Sequence, residues 1–202
     1  MLVLASASPR RKELLSLLVK LFEVLPADID ETPKCHEQAE DYVLRMAVEK
    51  AKAAALKYQS LPTFDENAIF IASDTSVVVD GVILGKPLNL DDSNRMLRLL
   101  SGRSHQVLTS LCVYHSKHQH FLTKCVATDV TFRSISDVEI EQYWKSGEPQ
   151  DKAGSYAVQG LGSVFVASLS GSYSAVVGLP LFETAQLLNQ FGIHSLEEMS
   201  HE

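Results

Sequence analysis

Several residues in this chain are of types, and at spacings, that could bind an anion such as phosphate. Ser6-Ala7-Ser8-Pro9-Arg10-Arg11 follows the apolar run Leu2-Val3-Leu4-Ala5 and leads into a helical pattern. Ser8 suits the N-cap and Pro9 the first helical position, where its missing amide would have had no partner. The free amides and positive end of the helix dipole then face whatever docks at the turn. Arg10 and Arg11 add planar forks matched to phosphate oxygens. The same turn also fits a capped helix with two solvated arginines.

Asp74, in Ser73-Asp74-Thr75, is expected where the apolar run Ala68-Ile69-Phe70-Ile71-Ala72 ends. Partial desolvation there suits a general base or metal ligand, and an Asx-type turn is the plainer reading. Lys86 sits in Gly85-Lys86-Pro87, where Gly85 is expected to let the backbone approach closely and Pro87 to stiffen the exit. Lys50 shares a face with Val43, Ala47 and Ala54 on one helical count. A competing count turns Tyr42, Met46, Glu49 and Ala53 inward, and a snorkelling lysine accounts for Lys50 as well. Asp28, Asp30 and Glu31 cluster before Pro33, as a Mg²⁺ site or a solvated loop would have them. Gln159 lies among glycines in Tyr156-Ala157-Val158-Gln159-Gly160, where its amide could read a base edge. His115, His118 and His120 have metal-like spacing, but their expected place at a hairpin tip, with no acidic or cysteine partner nearby, reads as a solvated turn.

The elements that must carry these residues form a mixed α/β pattern. A helix is expected from Pro9 to about Lys20, burying Leu14, Leu15, Leu17, Leu18 and Leu21, and a short strand at Phe22–Leu25. The longest helix should run from Glu37 to about Tyr58, rich in Ala, Glu, Lys and Leu. After the strand at 68–72, Asp80-Gly81 between Val77-Val78-Val79 and Val82-Ile83-Leu84 signals a two-residue hairpin. A helix follows from Asp91 to Leu100, then strands near His105–Tyr114 and Phe121–Phe132. Ser136-Asp137-Val138-Glu139 is a capping box opening a helix that stops at Gly147. Further strands and turns are expected from Ala153 to Gly178, and a last helix from Pro180 to Phe191. The whole reads as one domain over 1–194, with room for two lobes, and a flexible tail over 195–202.

Composition narrows the function classes. A chain of 202 residues, 46% hydrophobic, can bury a real core, and its net charge of −7 argues against binding a nucleic-acid polymer. Cys35, Cys112 and Cys125 are an odd number without C-x-x-C spacing, as in a reduced cytoplasmic protein. No segment has the length of a membrane span, and the N-terminus lacks the charge order of a signal peptide.

Taken in order, Ser6-Ala7-Ser8-Pro9-Arg10-Arg11, Ile29-Asp30-Glu31, Glu49-Lys50-Ala51, Ser73-Asp74-Thr75, Gly85-Lys86-Pro87, Ser101-Gly102 with His105 and Thr109, Lys152-Ala153-Gly154-Ser155-Tyr156 and Gly178-Leu179-Pro180 make the chain resemble the Maf family of nucleoside triphosphate pyrophosphatases. The resemblance spans Leu2 to about Phe191. It implies an elongated mixed sheet of the inosine triphosphatase type, with helices around a central cleft. It implies cleavage of a nucleoside triphosphate to a monophosphate and pyrophosphate with Mg²⁺ or Mn²⁺, and it admits a homodimer. By the same resemblance Asp74 is the general base, and Arg10, Thr75 and Gln159 match positions linked to substrate choice. Ser6, Ser8, Arg11, Glu31, Lys50 and Lys86 match cleft positions, with Glu31 and Asp74 placed to hold the cation. Asp74-Thr75 together with Tyr156-Ala157-Val158-Gln159-Gly160 is similar to the branch acting on dTTP and UTP. The alternatives are 7-methyl-GTP as substrate, or a nucleotide-sensing inhibitor of septum formation working through a protein partner.

Overall fold

A computed structural model describes residues 1–195. In chain order the elements are β1 (Leu2–Leu4), α1 (Pro9–Ser16), β2 (Glu23–Val24), α2 (Ala39–Tyr58), β3 (Ile69–Val79), β4 (Val82–Leu84), α3 (Leu90–Leu100), β5 (Ser104–His115) and β6 (His120–Phe132). Then come α4 (Asp137–Lys145), three short 3₁₀ turns, β7 (Val166–Ser170), α5 (Tyr173–Val177) and α6 (Leu181–Gln190). The seven strands form one mixed sheet in the order β2-β1-β3-β5-β6-β7, with β4 added on β3. β1 runs parallel to both β2 and β3, with Val3 opposite Glu23 and Phe70. β3 and β4 are antiparallel, as are β6 and β7.

The chain divides into two compact units. The first takes Met1–Asp74, Thr109–Val126 and the chain from Gly178 on; the second takes Thr75–Leu108 and Ala127–Val177. In the first unit α2 carries Glu40 and Asp41 in its first turn and Lys57 in its last, which suits the helix dipole. The middle of its buried face is small: Ala47, Ala51, Ala54 and Ala55 pack with Val3, Phe70 and Cys112 of the strands. Small residues there let the helix backbone come close to the sheet. Ser110 Oγ reinforces this by donating to the Val43 carbonyl at 2.5 Å.

The second unit packs Leu97 and Leu100 of α3 and Ile140 and Tyr143 of α4 with Val107, Val130, Phe132 and Phe165. Its helices begin as the local signals require. Asn89 accepts from the Asp92 amide at 3.0 Å, and Ser136 and Glu139 complete the expected capping box. The hairpin turns on Asp80 (φ 52°) and Gly81 (φ 75°), the left-handed pair that a tight two-residue turn needs.

Three expectations are corrected. β3 does not stop at Ala72 but continues through Ser73-Asp74-Thr75 to Val79, because its polar side chains find partners and the strand loses nothing by continuing. α1 ends at Ser16 rather than Lys20; the next turn tightens, and Leu17 and Leu21 are left 60% and 85% exposed. The stretch from Ala153 to Gly178 is mainly 3₁₀ turns with one strand and one short helix. Apart from the buried Ser195, the tail expected over 195–202 lies outside the described residues.

Candidate active site

Lys50 is the centre of the first unit's polar cluster. Its Nζ lies 2.7 Å from Asp74 Oδ1 and 2.6 Å from Glu31 Oε1. The side chains of Lys50 and Asp74 are each 11% exposed, whereas that of Glu31 is 51% exposed. One ammonium thus compensates a buried carboxylate from mid-β3 and a wetter one from the loop before α2. The first helical count, with Lys50 turned inward, is the one the structure adopts, although Tyr42 and Met46 of the competing count are buried too.

The N-terminal turn brings Ser6 and Arg11 to the same unit. Arg11 Nε donates to the Gly178 carbonyl at 2.9 Å, and one of its terminal nitrogens donates to Ser6 Oγ at 3.4 Å. Ser73 Oγ donates to that same Gly178 carbonyl at 2.8 Å. Burial lowers the Arg11 guanidinium from its ordinary value, while the charges of Asp74 and Glu31 oppose the shift and Arg10 adds to it. Ser8 does hold the N-cap position, but its side chain makes no capping bond. Its amide instead donates to Ser6 Oγ at 3.2 Å. The start of α1 therefore has no side-chain cap.

Two residues of α2 escaped the sequence reading. Tyr42 donates from its hydroxyl to the Glu31 carbonyl at 2.8 Å. Burial, helped by the charges of Asp74 and Glu31, pushes its phenol up to about 12, so it stays a hydrogen-bond donor. Arg45 grips both oxygens of Glu37 at 2.6 and 2.7 Å and donates to the Thr32 carbonyl at 3.2 Å. The Arg45 fork holds the Glu37 carboxyl down to about 2. Together they pin the loop that carries Glu31. The available signal was their spacing: Tyr42 and Arg45 stand three residues apart, directly after an acidic loop that needed an anchor.

In the second unit, Thr75 is half-buried on β3 immediately after Asp74, and Lys86 and Gln159 are exposed. A Cβ built on Gly85 meets nothing within 4 Å, so the expected close approach at that glycine is absent. Its carbonyl accepts from the Gly154 amide at 3.0 Å, which fixes the backbone beside Lys86. His105, one of the motif residues, is buried and pairs through Nε2 with the Tyr156 hydroxyl at 2.8 Å. Burial lowers it to about 4, which keeps the ring neutral.

Among the described residues, no group of three or more His, Cys, Asp and Glu side chains could hold a metal. The rings of His115 and His118 lie with their centroids 4.6 Å apart. Glu31 and Asp74 nevertheless fit a divalent cation bound together with substrate: each places an oxygen on the same cationic point, and Mg²⁺ takes one or two carboxylates plus phosphate oxygens.

The α/β fold around a mixed sheet thus carries a lysine–carboxylate cluster and, in the same unit, a helix that starts with two arginines. The family model for Maf-like proteins matches residues 1–191, and the chain belongs to that family. It is 53% identical over 190 residues to a dTTP/UTP pyrophosphatase of Vibrio parahaemolyticus, covering 94% of this chain and 96% of that protein. Similar matches are the dTTP/UTP pyrophosphatases of Pseudoalteromonas atlantica, 49% identical over 96% of this chain and 98% of the relative, and Colwellia psychrerythraea, 50% identical over 95% and 88%.

Proposed function

We propose that this protein hydrolyses dTTP and UTP to the nucleoside monophosphate and pyrophosphate. The observation that carries the chemistry is Lys50 Nζ held at 2.6 and 2.7 Å by Glu31 and Asp74. The substrate follows from about half identity to proteins of that activity over nearly the whole chain.

Water attacks phosphorus as Asp74 takes its proton, and the P–O bond between the α and β phosphates breaks. The electron pair leaves with pyrophosphate. Arg10, Arg11, Lys50 and Lys86 meet the charge that develops on the phosphate oxygens, with Ser6 and Ser8 shaping the turn beneath them. Lys50 serves as the carboxylates' countercharge before substrate arrives and turns to phosphate afterwards. Glu31 and Asp74 would hold Mg²⁺ or Mn²⁺, which polarises phosphoryl oxygens and acidifies bound water. Thr75 and Gln159 select the base. A cytoplasmic setting agrees with three free cysteines.

The test is pyrophosphate release, with product identification, across dTTP, UTP, CTP, GTP, 7-methyl-GTP and ITP. Monophosphate and pyrophosphate from dTTP and UTP are expected. Turnover of 7-methyl-GTP alone would keep the chemistry and overturn the base assignment, and no turnover at all would overturn the function.

A further inference from the structure

Gln159 sits on an exposed crest, yet the segment around it is closed from below by one carboxylate. Glu148 Oε2 accepts from the Leu161 amide at 2.9 Å, and Oε1 accepts from the Gly162 amide at 2.9 Å and the Tyr143 hydroxyl at 2.7 Å. The Tyr143 oxygen in turn accepts from the Ala157 amide at 3.1 Å. Both ends of residues 157–162 therefore terminate on the Glu148–Tyr143 pair. Tyr143 is itself fixed in the core, 5% exposed, with its ring edge-on to Phe165 at 5.1 Å.

Two glycines show how tightly the loop is drawn. Gly160 has φ +117°, and a Cβ there would lie 2.3 Å from Glu148 Oε2. A Cβ at Gly162 would lie 2.6 Å from both the Tyr143 hydroxyl and the Ala157 carbonyl oxygen. Those contacts leave no space for side chains between the loop and its clamp. Burial pushes the Glu148 carboxyl up, but the hydroxyl and the two amides outweigh it and hold it below the ordinary range, so it stays an acceptor.

We propose that Glu148, acting with Tyr143, is a positioning residue for pyrimidine selection: it closes the 157–162 loop so that Gln159 presents its amide at one place. This rests on the function proposed above. The need for such a clamp follows from the chemistry of the amide. Uracil and thymine offer a carbonyl at C4 and a proton on N3, whereas cytosine offers the reverse, and a glutamine amide free to rotate serves either edge. Discrimination then depends on how the loop holds that amide. A carboxylate suits the clamp because it only accepts; an amide in its place would turn an NH₂ toward a backbone donor.

The experiment compares kcat and KM for dTTP, UTP and CTP in the wild type, Glu148→Gln and Tyr143→Phe, with thermal midpoints recorded for each. In Glu148→Gln the preference for dTTP over CTP, as the ratio of kcat/KM, is expected to fall about tenfold. The loss should lie in KM for dTTP, with kcat within about threefold of wild type. Tyr143→Phe should move the ratio the same way by less, and it decides the matter should Glu148→Gln not fold. An unchanged ratio, or a uniform loss of kcat for all three nucleotides, overturns the proposal. Wild-type protein that cleaves dTTP and UTP while the variants keep its preference defeats this inference alone. Wild-type protein that cleaves no pyrimidine triphosphate defeats it together with the proposed function.

Discussion

The loop bearing Glu31 and the loop bearing Gln159 are fixed by opposite means. Glu31 is held through charged side chains: its own carboxylate on Lys50, with Arg45 on Glu37 and Thr32 beside it. Gln159 is held through backbone, with amides on either side of it ending on Glu148 and Tyr143 and glycines where a Cβ would collide. Charge-held contacts can exchange one cation for another with little rearrangement. Backbone-held contacts cannot change without remaking the turn. The first arrangement suits the metal and triphosphate contacts proposed for Glu31, Asp74 and Lys50, and the second suits the base-reading role proposed for Gln159.

The strongest way to break this comparison is Lys50→Met. It leaves Asp74 buried without its ammonium, and removing one partner of a buried pair should cost about 3 kcal/mol, discounted for the exposure of Glu31. If the cluster is exchangeable, Mg²⁺ should restore much of the lost thermal midpoint in the variant and change the wild type less. A Lys50→Met protein as stable as wild type, or one indifferent to Mg²⁺, would dissolve the distinction.

Asp74→Asn comes next. Turnover should fall about 10²-fold or more, equivalent to about 2.7 kcal/mol of barrier, while nucleotide binding measured by calorimetry persists. Near-normal turnover would remove Asp74 from the reaction and leave the cluster a structural one.

What the residues alone make legible divides along the same line. The Asp80-Gly81 hairpin and the Ser136–Glu139 capping box were legible because each signal lies within a few residues, whereas the sequence left two counts open for the inward face of α2. Lys50 was legible as an oddity on an apolar face. The continuation of β3 through Ser73-Asp74-Thr75 was not, because what satisfies those polar groups comes from Gly178 and Lys50, 105 and 24 residues away in the chain. Glu148 was invisible for a related reason. Beside the Tyr143 hydroxyl its partners are main-chain amides, which every residue but proline has, and the glycine geometry of 160 and 162 brings them to one carboxylate.

That geometry gives the third prediction. Gly160→Ala asks an L residue to adopt φ +117° and puts a methyl into Glu148 Oε2. The expected loss is about 1–2 kcal/mol of stability by denaturant titration, with the dTTP preference reduced as in Glu148→Gln. If stability falls while the preference survives, the glycine serves only the fold and the backbone-held loop loses its link to selection.

The smallest effect is expected from Tyr42→Phe, which removes one neutral hydrogen bond to the Glu31 carbonyl and leaves the ring under Arg45 at 5.6 Å. The stability change should stay below about 1 kcal/mol. The informative readout is the Mg²⁺ concentration for half-maximal activity, expected to rise about two- to threefold at unchanged preference for dTTP over CTP, a shift that 1 kcal/mol can produce. Because the Tyr42 hydrogen bond to the loop ends on its backbone, this variant separates holding the loop from charging it. A rise in the metal requirement alone would mean that even the charge-held loop depends on a neutral tether for its resting position. No change would assign that position wholly to Lys50 and Arg45, and a change in base preference instead would show that the two loops are not the independent devices their contacts describe.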